Sequence, residues 1–238
     1  MKIIKYPSPN FSERTLEVDS IIIHYTDMLS TDETLALFFN PISQVSSHYL
    51  IDEEGQIYHL VEEGKKAWHA GTSYWQGRTG LNDYSVGIEL ANPGHSHGYQ
   101  PFPEAQIESL LKLCHDIRTR WNIPSSRILG HSDIAPRRKQ DPGHLFPWEK
   151  LAQEGLGLWP DMSDELKHPG LLSPRQSSPE DSSLWIKALE RIGYETISPS
   201  QALLAFQRHF QPHKVDGIAN DETFALLQGL LKISEKPI

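Results

Sequence analysis

Three residues of this chain have the types and spacing of a metal-assisted hydrolase. His24 closes the apolar run Ser20 to Tyr25 (Ser-Ile-Ile-Ile-His-Tyr), and His131 directly follows a second short run, Arg127 to Gly130. Histidines at the ends of two strands can project from one edge of a sheet into a common cleft. Ten residues after His131, Asp141 stands between a charged turn and a rigid Pro-Gly, where the chain can fold back toward His131. Two imidazoles and one carboxylate make a catalytic zinc set, one ion per chain, with the fourth tetrahedral position open to water. Calcium and magnesium ask for more oxygen ligands. A lone strand-end histidine is more often structural; the pairing with a second histidine and a carboxylate favours the ligand reading.

The elements around these residues predict an α/β fold, a central mixed β-sheet flanked by helices. Strand signals occur at Ser20 to Tyr25, at Ser47 to Asp52, and at Gln56 to Val61, where Glu54-Gly55 turns the last two into a hairpin. Tyr84 to Ala91 alternates Val86, Ile88 and Leu90 with Ser85, Gly87 and Glu89, so Glu89 points away from the apolar face. A further strand, Arg127 to Leu129, delivers Gly130-His131. Ser30 and Glu33 have capping-box spacing before a helix carrying Leu35, Leu37, Phe38 and Phe39. Ile107, Leu110, Leu111, Cys114, Ile117 and Trp121 form a helical stripe after Pro103. Residues 1–159 form one core on this basis. Residues 160–183, rich in Pro, Ser and charge, read as a linker, and residues 184–238 as a small C-terminal three-helix domain on stripes at Trp185, Leu203 and Phe224.

Five segments recur here in the order of a known family: Ile-Ile-Ile-His-Tyr-Thr; Ser-Ser-His-Tyr-Leu-Ile-Asp-Glu-Glu-Gly; Ala-Trp-His-Ala-Gly; Asn-Asp-Tyr-Ser-Val-Gly-Ile-Glu-Leu; and Gly-His-Ser-Asp-Ile-Ala-Pro-Arg-Arg-Lys-Gln-Asp-Pro-Gly. Over about Ser20 to Trp148 the chain resembles the zinc N-acetylmuramyl-L-alanine amidases of the AmpD and AmiD type. They share a fold with peptidoglycan recognition proteins and phage T7 lysozyme. The resemblance implies His24, His131 and Asp141 as zinc ligands, Glu89 and Lys139 as the catalytic pair, and peptidoglycan or a muropeptide as substrate. Glu89 would take a proton from water and return it to the leaving amine, and Lys139 would stabilise the oxyanion. Phe-Gln-Arg near Phe206 and Val-Asp-Gly-Ile from Val215 similarly resemble the peptidoglycan-binding domain of wall hydrolases. The plainer alternative is a helical appendage that only packs on the core.

Substrate contacts are expected at three further positions. His69 either lines the groove or satisfies a loop. Asn82 and Arg78 precede the Glu89 strand where the family's substrate loop runs; Arg78 either holds a stem-peptide carboxylate or is a solvated loop arginine. Some relatives carry an arginine nearer Asn82, where Gly80 stands here. Trp68 is expected to pack, His48 to be a hydrogen-bonded structural residue, and His95 and His97 to be solvated. A recognition protein that binds without cutting, or a phage endolysin with the same reaction, are the rival roles; the complete ligand set speaks against the first.

Composition agrees with a globular enzyme. A net charge of -9, with both signs interspersed, offers no basic stripe for nucleic acid. Cys114 is the single cysteine, so no internal disulfide forms, and its apolar helical setting predicts packing. No apolar run reaches signal-peptide length at the start or membrane-spanning length later, and nothing implies a protein partner.

Overall fold

The computed structural model describes residues 2–161 and 181–234. In chain order its elements are β1 (Ile3–Lys5), β2 (Phe11–Glu13), β3 (Ser20–Tyr25), α1 (Thr31–Phe39), β4 (Tyr49–Ile51), β5 (Ile57–His59), β6 (Lys65–Ala67), β7 (Tyr74–Trp75), β8 (Arg78–Thr79) and β9 (Ser85–Leu90). They continue with α2 (Gly94–His97), α3 (Glu104–Trp121), β10 (Ile128–Gly130), α4 (His131–Ile134), α5 (Trp148–Gln153), α6 (Asp181–Ile192), α7 (Pro199–Phe210) and α8 (Asp221–Ser234). Six strands form one sheet in the order β1-β5-β4-β9-β3-β10, and two short ribbons pair β2 with β6 and β7 with β8. The sheet is mixed: β4 and β5 are the expected antiparallel hairpin, and the other pairs are parallel.

Alternation along the strands assigns the two faces of the sheet. Ile21 and Ile23 of β3 and Val86, Ile88 and Leu90 of β9 pack with Ile107, Leu110, Cys114 and Ile117 of α3, so Cys114 is a buried packing residue. On the opposite face, Leu50 of β4 packs with Leu35 and Phe38 of α1, while Leu37 and Phe39 face outward. Ser30 is the N-cap of α1, accepting from the Glu33 backbone N–H at 3.2 Å. Asn122, in the left-handed region at φ 52°, ends α3.

The three C-terminal helices form as their stripes predict, but they are not a free-standing module. Leu189, Tyr194, Phe206 and Leu227 belong to one buried cluster with Ile22, Leu129, Ile134, Trp75 and Leu81 of the core. His209 stacks on Trp148 with ring centroids 3.8 Å apart. Asp133 of α4 accepts from the Tyr194 hydroxyl at 2.7 Å and lies 2.8 Å from His209 Nδ1. The expected three-helix domain is thus packed on the core, its apolar stripes satisfying the sheet as well as one another. Most of the expected linker, 162–180, lies outside the described residues, and its last three residues, 181–183, belong to α6. Among the described residues, no helix is long and apolar enough to cross a membrane.

Candidate active site

Strand ends bring the expected residues together. The register of β3 against β9 sets His24 beside Glu89, both on the face opposite α3, and β10 runs parallel to β3 so that His131, just past its end, arrives next to His24. The loop from His131 to Asp141 is closed at its base, where the Ser132 N–H donates to the Asp141 carbonyl at 2.8 Å. His24 Nδ1 lies 2.9 Å from His131 Nδ1, and Asp141 Oδ2 lies 3.1 Å from the first and 3.0 Å from the second. All three residues are buried. The separations are close to the roughly 3.3 Å edge of a tetrahedron with bonds of about 2.0 Å, so the donor set and its spacing fit a metal ion of zinc type. Among the described residues, this is the one group of histidine and carboxylate ligand atoms able to hold such an ion.

Electrostatics prepares these groups for their partners. Burial, with help from the neighbouring His131, lowers the His24 imidazole to about 4, so it stays neutral with a lone pair to give. Burial pushes the Asp141 carboxyl up, but His131 and His24 outweigh it and hold it well below the usual carboxylate range. Glu89 moves the opposite way: burial and then the Asp141 charge raise it well above the usual range, against the opposing Lys139. Its Oε2 is buried and has no hydrogen-bond partner. A carboxyl so displaced holds a proton more tightly than an ordinary carboxylate, as a group that accepts one during catalysis must.

The cleft over these groups holds about 290 Å³ and is lined by His24, Glu89, His131, Lys139 and Asp141 together with Tyr25, Trp68 and His69. The three expected substrate residues divide. His69 is in the cleft wall, whereas the Asn82 side chain is not; its Oδ1 accepts from the backbone N–H of His69 at 3.1 Å and of Ala70 at 2.7 Å. Arg78 is also absent from the wall. It pairs with Asp19 and lies over the Tyr84 ring, 5.0 Å from its centroid, outside the lining of this cleft.

Other histidines behave largely as expected. His48 is buried, its Nδ1 accepting from the Gly87 N–H at 2.9 Å, and burial followed by the Arg14 charge lowers it to about 3. His97 is exposed, but His95, though exposed, stacks on Tyr99 at 4.4 Å and lies 2.6 Å from the Tyr25 hydroxyl. Trp68 corrects the packing expectation, because it lines the cleft while its Nε1–H donates to Ser12 at 3.0 Å. Sequence reasoning missed the cleft wall made by Leu37 and Phe38 of α1 with Val45, and it missed Arg138. The position of Arg138 inside the Arg-Arg-Lys turn was the available signal.

Residues 14–144 match the family model described as N-acetylmuramoyl-L-alanine amidase. The chain belongs to the N-acetylmuramoyl-L-alanine amidase family. The matched segment contains His24, Glu89, His131 and Asp141 and ends before α6. Among its relatives, the amidase AmiD of Escherichia coli is 40% identical over 230 residues, 89% of this chain and 82% of that protein. The 1,6-anhydro-N-acetylmuramyl-L-alanine amidase AmpD of Haemophilus influenzae is 36% identical over 60% of this chain and 86% of its own length. In structure, the complex of Escherichia coli AmiD with the substrate anhydro-N-acetylmuramic acid-L-Ala-D-gamma-Glu-L-Lys superposes with a TM-score of 0.81 at 36% identity, covering 96% of this chain and 99% of that one. AmpDh3 of Pseudomonas aeruginosa gives a TM-score of 0.79 at 30% identity, covering 94% of this chain and 97% of its own. The amidase fold of this family thus accounts for the mixed sheet, and these two superpositions take in 96% and 94% of the chain.

Proposed function

We propose that this amidase uses zinc to hydrolyse the amide between the lactyl group of N-acetylmuramic acid and L-alanine, in peptidoglycan or in muropeptides released from it, during cell-wall turnover or recycling. The observation that carries the zinc reading is the convergence of His24 Nδ1, His131 Nδ1 and Asp141 Oδ2 at the floor of a cleft that also exposes Glu89 and Lys139. Bound there, zinc would supply a Lewis acid that polarises the scissile carbonyl and acidifies water. Glu89 takes the proton of the attacking water and delivers it to the leaving amine of L-alanine; its raised proton affinity suits the first step. Lys139 offers an ammonium to the oxyanion of the tetrahedral intermediate. The muropeptide held by the AmiD relative supports a substrate of this class.

Residues up to 159 hold all of these groups, and the C-terminal helices are proposed to grip the wall polymer while packed on that core. The test is to incubate purified chain with intact sacculi and with soluble anhydro-muropeptides, and to identify products by mass spectrometry before and after a chelator. Release of free stem peptide that stops on chelation and returns with zinc is expected; peptide release that survives removal of all metal refutes the zinc reading. Sedimentation with sacculi, compared with and without the C-terminal helices, tests the wall-binding assignment.

A further inference from the structure

Each of the two converging imidazoles has a second ring nitrogen, and both find their partner in one short loop. His24 Nε2 lies 2.9 Å from His69 Nδ1, and His131 Nε2 lies 3.1 Å from the Ala70 carbonyl oxygen. The direction of these bonds follows from the donors available. A carbonyl only accepts, so His131 carries its hydrogen on Nε2 and keeps a lone pair on Nδ1. At the other ring the chain of bonds is longer. The Ser85 hydroxyl gives its hydrogen to the Leu81 carbonyl at 2.6 Å, so its oxygen is free to accept from His69 Nε2–H at 3.2 Å. That leaves His69 Nδ1 a lone pair, which accepts from His24 Nε2–H and leaves His24 Nδ1 bare toward Asp141.

The loop is itself held in place. Asn82 Oδ1 accepts from the backbone N–H groups of both His69 and Ala70. Arg138 adds a donor to the Ala70 carbonyl at 3.1 Å. The His69 ring lies against β9 at Gly87, where a Cβ would stand 2.5 Å from the His69 Cγ, so that strand position has room for the ring only because it lacks a side chain.

We propose that the segment from Trp68 to Gly71, tied by Asn82, acts as the outer coordination sphere of the metal site, with His69 and Ala70 orienting His24 and His131 and setting metal affinity. His69 and Asn82 are then positioning residues, and the substrate-contact role expected for them is replaced. The proposal rests on the metal reading of the site and deepens it. Partners of this kind are worth about 10–100-fold in metal affinity.

The test uses the full chain stripped of metal and titrated with zinc against a chromophoric chelator, with the cobalt(II) absorption spectrum as a second readout. His69→Ala and Asn82→Ala are expected to weaken zinc binding about 10–100-fold and to alter the cobalt bands. His69→Asn and Asn82→Asp, which keep an acceptor at the same place, are expected to recover most of the affinity. Thermal unfolding of the metal-free proteins accompanies each titration, and the Asn82 pair carries the test if His69→Ala does not fold. Zinc bound as tightly by His69→Ala and Asn82→Ala as by the unaltered chain, with KM raised, overturns the proposal and makes these residues substrate contacts. An unaltered chain that binds no zinc instead brings down the metal reading on which the proposal rests.

Discussion

Replacing Tyr194 by Phe isolates one bond between the C-terminal helices and the turn that carries His131. Asp133, two residues beyond that histidine, is buried; its carboxylate accepts from the Gly130 N–H at 2.7 Å and the Tyr194 hydroxyl at 2.7 Å, with His209 Nδ1 at 2.8 Å. Phe keeps the ring and its edge contacts to Trp75, 5.0 Å away, and Phe206, 6.2 Å away. Only the hydrogen bond is lost, and the buried Asp133 Oδ1 is left without that donor. A hydrogen bond to a charged acceptor contributes about 1.5–3 kcal/mol, so Tyr194→Phe should lower stability by about 2 kcal/mol, or roughly 30-fold in the folding equilibrium. Urea unfolding of the metal-free chain measures this, with an unchanged m-value as evidence that the denatured state is the same. A loss under about 0.5 kcal/mol, the size of an ordinary surface change, would refute the coupling between the helices and this turn.

Asp141→Ala should lose both metal and turnover, whereas Glu89→Gln and Lys139→Met should keep zinc while lowering turnover about a hundredfold; metal analysis beside steady-state rates separates the two classes. Gly87→Ala should push the His69 ring from its seat, destabilising the fold by about 1–3 kcal/mol and weakening zinc binding; unfolding and metal titration both read it. His48, held at about 3 against an unfolded value of 6.5, contributes stability that is complete above 6.5 and is lost as pH falls toward 3. Its share of the slope reaches at most about 1.4 kcal/mol per pH unit, and His48→Gln should flatten the pH dependence of urea unfolding in that window; parallel slopes refute the assignment. Ending the chain after Asp161 should uncover Ile22, Leu129 and Ile134 and lower the melting temperature of the remaining core; an unchanged melting temperature would restore the view of a free-standing module.

The ligand set was legible in sequence because each member sits at a local landmark. His24 and His131 follow β-branched or apolar runs that end at a sheet edge, and Asp141 precedes Pro-Gly. Glu89 was readable from the period of two along its strand, which no neighbour can alter without reversing every side chain. The family motifs added the roles of Glu89 and Lys139, which spacing by itself does not supply. The short strands β1, β2, β6, β7 and β8 escaped notice because two or three residues are too few to display a period, and they form only where a partner strand supplies their hydrogen bonds. Arg78 and Asn82 were placed by nearness in sequence to Glu89, yet their side chains obey partners that only folding brings near: Asp19 for the first, the His69–Ala70 backbone for the second. The C-terminal helices show the same division. An apolar stripe on a helix states that one face must be buried, but the stripe is identical whether it meets sister helices or the sheet. Tertiary packing made that choice here, placing Tyr194 and His209 against Asp133, because the exposed apolar face of β3 and β10 had no other cover among the described residues.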